Sequence, residues 1–144
     1  MTIPLLTTSW TVAHRAHKAA NRTFVPVRAS LGSPKFWPEA KALPYIAELA
    51  PAGLFHLDDT AEFERRYLAR LDRIGVDRLA ARFADVYAEY QRSLALCCFE
   101  PAGQPCHRRL WAAWHEEHTG QSVPELEPGH NEHRAFGQVP ERRE

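Results

Sequence analysis

Three cysteines, a histidine, two arginines and a carboxylate fall within one short stretch, Leu94-Ala-Leu-Cys-Cys-Phe-Glu-Pro-Ala-Gly-Gln-Pro-Cys-His-Arg-Arg109. Its residue types can do chemistry. A thiol at the start of a helix is stabilised as thiolate by unpaired backbone N–H groups, and a phosphate or carboxylate is held there for the same reason. Cys106 is the candidate for that thiol, Glu100 for an acid/base and His107 for an activator. Arg108 supplies a planar fork suited to an oxyanion. Three chemistries are open to this set. Cys106 can be a nucleophile or redox thiol. Cys98, Glu100, Cys106 and His107 can hold a metal. Arg108 and the helix start can bind an anion with no reaction. Spacing counts against the metal, because Cys-x7-Cys-His lacks the paired short intervals of a zinc site. It also excludes the Cys-x5-Arg loop of cysteine phosphatases, since Gly103, Gln104 and Ala112 stand where the arginine is needed. His107 follows Cys106 by about 100° around a helix, so the two need not touch.

The flanking elements decide where these groups sit. Leu94 to Phe99 is continuously apolar, as expected of a central strand covered on both faces. It stops at Glu100, and Pro105 suits the first position of a helix running through Leu110, Trp111 and Trp114 to Gly120. In parallel sheets ligands bind outside the carboxyl ends of the strands, beside helix N-termini. Glu100 is therefore expected on that rim, with Cys106, His107 and Arg108 in the next helix's first turn. Cys97 reads as a core residue, Cys98 as either a core residue or a functional thiol near the rim, and the two tryptophans as core.

Upstream, Ile3 to Trp10 reads as a first strand, and Thr11 to Asn21 as a helix or polar loop. Thr23 to Arg28 is β-rich, and Pro26 places it at an edge or in an irregular pairing. Ala29 to Pro38 is loop chemistry. Leu43 to Leu49 reads as a short helical turn and Leu54 to Leu57 as a short strand. Thr60 is expected to cap a helix that Gly75 breaks, and Val76 to Gln91 to form a second, amphipathic one. Val123 to Leu126 reads as a last strand. Residues 127–144 lack apolar periodicity and read as a mobile tail, leaving one domain over residues 1–126. Alternating strands and helices predict an α/β layered domain of Rossmann-like type, its sheet mainly parallel and flanked by helices.

Bulk properties bound the function. Eighteen basic and eighteen acidic residues cancel, so net charge argues for neither nucleic acid nor a membrane surface. No apolar run reaches the ~20 residues that span a bilayer. The first residues lack a basic leader and a long apolar core, and three cysteines are an odd number for a disulfide framework. The expected compartment is the cytoplasm. His14 and His17 share one side of a helix without a third ligand nearby. His115 and His118 fall near a helix end, and His130-Asn131-Glu132-His133 lies in the tail.

Taken together, Leu-Cys-Cys-Phe-Glu100, Cys106-His-Arg, Trp114, Gly120 and Val-Pro-Glu-Leu126 resemble the family called domain of unknown function 488, in its shorter branch. Val27-Arg-Ala-Ser30, Ser33-Pro-Lys-Phe36 and Leu49-Ala-Pro51 fit the same pattern. The resemblance spans residues 3 to 126 and carries Cys98, Glu100, Cys106, His107 and Arg108, with Arg28, Ser30 and Pro34. It implies a compact α/β fold and no settled activity. It also implies that Arg28 and Ser30, following their own strand, reach the rim, where Ser9 at the end of the first strand can join them. Two arginines, a carboxylate, hydroxyls and a thiol suit a phosphorylated or nucleotide-like ligand. Phe36 and Trp37 would cover that ligand, stack on a base, or pack their loop onto the domain. The residues specify no cofactor. The expected roles are Cys106, Glu100 and His107 for catalysis, with Arg28, Ser30, Arg108, Cys98 and Ser9 for binding. The alternatives are a sensor without turnover and a structural cluster.

Overall fold

The computed structural model describes residues 2–54, 57–99 and 107–127. They form an α/β domain around a four-stranded, all-parallel sheet: β1 (Leu5–Ser9), β2 (Phe24–Arg28), β3 (Ser93–Cys98) and β4 (Glu125–Leu126), in the order β2-β3-β1-β4. Helices α1 (Trp10–Lys18), α2 (Thr60–Ile74), α3 (Val76–Tyr90) and α4 (His107–Thr119) provide the crossovers. Two short 3-10 turns, Pro38–Ala42 and Ala47–Leu49, follow β2.

Alternation along the strands assigns each face its cover. Leu5, Val25, Val27, Leu94 and Leu96 pack with Tyr67 and Leu71 of α2, Leu79, Phe83 and Val86 of α3, and Trp111 and Trp114 of α4. Leu6, Phe24, Ala95 and Leu126 pack with Val12 and Ala16 of α1. Beside that second cluster, Trp10 and Ala13 bury Trp37, Ala40 and Cys97. The sheet is thus sandwiched, with α1 alone on one face and three helices on the other. That arrangement explains why β3 is apolar at both parities.

Local chemistry sets the boundaries. Ser9 ends β1 and caps α1, its Oγ accepting from the Val12 N–H at 3.2 Å. The cap of α2 is Asp59, one residue before the expected Thr60; its carboxylate accepts from the Ala61 and Glu62 N–H groups. Gly75 both ends α2 and begins α3 at φ +88°, a left-handed conformation that favours glycine. The segment over Thr11 to Asn21, open between helix and loop, is helix as far as Lys18.

The strand expected over Leu54 to Leu57 includes residues 55 and 56, which lie outside the described residues; its two leucines pack on the core. One expected element differs. Leu43 to Leu49 is helical only over Ala47–Leu49. Before that, Arg28 N–H donates to Pro44 O and Ile46 N–H to Arg28 O, a parallel bridge along the free edge of β2. An exposed strand edge competes better for these backbone groups than a turn interrupted by Pro44 does. The expected tail lies, apart from Glu127, outside the described residues. No helix among them is long and apolar enough to cross a membrane.

Candidate functional site

The carboxyl ends of β1 and β3 lie side by side, with Ser9 in register with Cys98. From Ser9 the chain enters α1 on one face of the sheet, and α4 packs the opposite face. Neighbouring strands whose continuations part in this way mark a topological switch point. Around it stand Ser9, Ser30, Cys98, His107 and Arg108, all buried. Glu100 and Cys106 lie outside the described residues.

Each described side chain has an intramolecular role. His107 Nε2–H donates to Ala29 O at 2.7 Å, which fixes the tautomer, and its ring meets Tyr67 edge-on at 5.6 Å. The start of α4 is thereby pinned to the end of β2. Arg108 has only 1% of its side chain exposed and forks onto Glu125: Nη2 to Oε2 at 2.6 Å and Nε to Oε1 at 3.1 Å. Its Nη1 also donates to Cys98 Sγ at 3.0 Å. Glu125 accepts in turn from the Thr7 hydroxyl at 2.6 Å, and Arg109 donates to Thr7 Oγ and Val123 O. The result is a polar network beneath α4 that ties β3, β1 and β4 together. A buried charge is tolerated only where it is paired and hydrogen-bonded in this manner.

The structure does not bring the two expected anion clamps together. Arg28 is in register with Cys97, whereas Cys98, one residue on, holds Arg108. Arg28 Nε donates to Leu43 O at 3.2 Å and its guanidinium carbon sits 4.6 Å from the centre of the Tyr45 ring. It points out over the β2 edge while Arg108 points toward β4. Ser30 stays near α1: its hydroxyl accepts from Trp10 Nε1 at 3.1 Å and donates to Gly32 O at 2.6 Å.

The two neighbouring cysteines differ in setting. Cys97 is wholly buried among apolar groups, and desolvation pushes its thiol up to about 12. Cys98 lies at the strand's last position with a guanidinium on its sulfur. Among the described residues, no group of three or more His, Cys, Asp or Glu side chains is placed to hold a metal ion.

Sequence reasoning missed Glu125, Thr7, Arg109 and Tyr67. The signal for Glu125 was an acid between two buried apolar residues, Val123 and Leu126, in an expected strand. Phe36 and Trp37 part company. Trp37 is buried between His14 and His17, with both ring centres at 5.0 Å, whereas Phe36 is half exposed. Leu31, Phe36 and Phe99, the large apolar side chains left exposed among the described residues, all follow the carboxyl end of β2 or β3. Comparison with family models, curated proteins and solved structures finds no match to the chain.

Proposed function

We propose that this protein binds a small phosphorylated or nucleotide-related ligand at the carboxyl rim of its sheet, where Cys106 and Glu100 act on it. The observation that carries the reading is the divergence of the chain at Ser9 and Cys98, the place where parallel sheets accommodate ligands. The exposed Leu31 and Phe99 on loops leaving the same rim add apolar contact area. In this reading Cys106 is the nucleophile or redox thiol, Glu100 the acid/base, and His107 orients the helix start through its bond to Ala29. Ser9 and Ser30 line the site. On Cys98, Glu100, Cys106, His107 and Arg108 we also propose kinship with the domain of unknown function 488 family. The buried thiols of Cys97 and Cys98 suit a reducing compartment such as the cytoplasm.

A second reading is favoured by one specific observation, the bidentate Arg108–Glu125 pair. With its guanidinium committed to Glu125 and Cys98, Arg108 holds α4 on the sheet and leaves anion binding to other groups. The signature would then be structural.

The deciding experiment is pH-dependent alkylation of Cys106, located by mass spectrometry, with and without inorganic phosphate and nucleoside phosphates. A thiol titrating well below the usual ~8.5, and protected by one of these probes, supports the site. A thiol that reacts only after unfolding overturns it and leaves the structural reading. Cys106→Ser separates the roles further: turnover is lost if the thiol reacts, and affinity persists if the protein only senses.

A further inference from the structure

The neutral net charge conceals a segregation. Residues 1–41 contain six of the eighteen Lys and Arg residues (Arg15, Lys18, Arg22, Arg28, Lys35 and Lys41) and one of the eighteen acids, Glu39. That segment is +5 and the remainder −5. All three lysines belong to it, on α1 or on the loop and 3-10 turn after β2. These elements pack together through Trp10, Ala13, Trp37 and Ala40, so their charges share the α1 side of the molecule.

Here α1 and the loop after β2 form an open groove of about 280 Å³, lined by Thr11, His14, Arg15, Lys18 and Phe36. Its volume is near the lower end of the roughly 300–1,000 Å³ common for small-ligand sites. Phe36 is 52% exposed, unusual for so large an apolar ring, yet it is held in place against His14 at 5.3 Å. Burial, with the nearby Lys18 and His17, keeps the His14 imidazole below its ordinary value against the pull of Glu39. At neutral pH His14 is therefore an uncharged ring beside Phe36, flanked by two cations. Aromatic faces set in a positively charged groove are what single-stranded nucleic acids bind: bases stack and phosphates follow the cations.

We propose that this groove binds single-stranded nucleic acid, one base stacking on Phe36 and the adjoining phosphates lying along Lys18. Lys35, next to Phe36 in the chain, and Lys41, on the 3-10 turn whose Ala40 packs with α1, add positive charge to the same elements, which favours a strand over a free nucleotide. The site uses neither Cys106 nor Glu100 and is independent of the rim reading.

The test is fluorescence anisotropy of a short fluorescein-labelled oligothymidylate with the full chain at several salt concentrations. Binding is expected to weaken as salt rises. Phe36→Ala should weaken it about tenfold, and Lys18→Ala should lower the magnitude of the salt slope by about 0.7. Both side chains are exposed, so circular dichroism of the variants should match the parent. Cys106→Ser should leave strand binding unchanged, which separates failure here from failure at the rim. Absence of binding at low salt overturns the proposal, as does binding indifferent to Phe36→Ala. Displacement by dTMP as effective per nucleotide as by the oligomer would overturn the strand and leave a mononucleotide groove.

Discussion

The starts of α1 and α4 invite comparison, because each follows a β-strand and each carries histidine, arginine and tryptophan. At α4 the polar groups turn inward. His107 is spent on Ala29 O, Arg108 on Glu125 and Cys98, and both are buried. At α1 Trp10 and Trp37 fill the core, while His14, Arg15 and Lys18 line an open groove with Phe36. Similar residue types thus serve as internal fastening in one place and as solvent-facing surface in the other. The difference comes from what lies opposite. Beneath α4, β4 presents Glu125 to a buried guanidinium, whereas among the described residues the lining of the groove on α1 holds no carboxylate and Glu39 acts on His14 only from beside it. A motif rich in chemical groups is therefore weak evidence for chemistry until its partners are known.

The largest effect that can break this comparison is at the Arg108–Glu125 pair. Arg108→Met leaves a carboxylate in a largely buried site, and Glu125→Leu takes the carboxylate away from a buried guanidinium. Each should cost roughly 3–5 kcal/mol in urea denaturation, and the double replacement should recover much of that loss. Equal tolerance of both single variants would show that the pair is not a fastening. Next, His107→Ala removes the bond to Ala29 O and the edge contact with Tyr67. It should cost roughly 1–3 kcal/mol, the penalty for a buried acceptor left without its donor.

At the start of α1, Ser9→Ala removes the cap on Val12 N–H and should cost about 1 kcal/mol, read from the same denaturation curves. Phe36→Ala should change stability by no more than about 0.5 kcal/mol, since half its ring already faces water. A large loss there would make Phe36 a packing residue and remove the contrast. A titration sharpens the buried side. The folded-state pKa of Cys97, about 12, lies above its ordinary 9.0. The unfolded chain thus releases this proton first. The stabilisation is complete below about pH 9 and is lost as pH rises from there to about 12. Cys97→Ala should flatten that part of the stability-versus-pH curve, and in the folded parent Cys97 should resist alkylation throughout the neutral range.

Much of the architecture was legible in the residues, for identifiable reasons. Leu94 to Cys98 is apolar at both parities, which only a strand covered on both faces requires, and the amphipathic spacing of Phe83, Val86 and Leu79 marks one helix face. Pro26 confines its strand to an edge, and β2 is one. The element that misled is a short one. Leu43 to Leu49 reads as a helical turn, but the edge of β2 draws its first half into a bridge at Tyr45, and spacing over so few residues does not show that competitor.

The candidate site divides along the same line. By itself the sequence determined that a strand ends and a helix begins around Cys-His-Arg, since apolar runs, prolines and glycines act within a few residues of one another. Only the tertiary structure decided that Arg108 meets Glu125, that Arg28 turns away to Leu43 and Tyr45, and that Phe36 faces water while Trp37 does not. Those outcomes depend on strand order and on which face each crossover takes. Both are set by contacts between residues far apart in the chain, and local spacing carries no record of them.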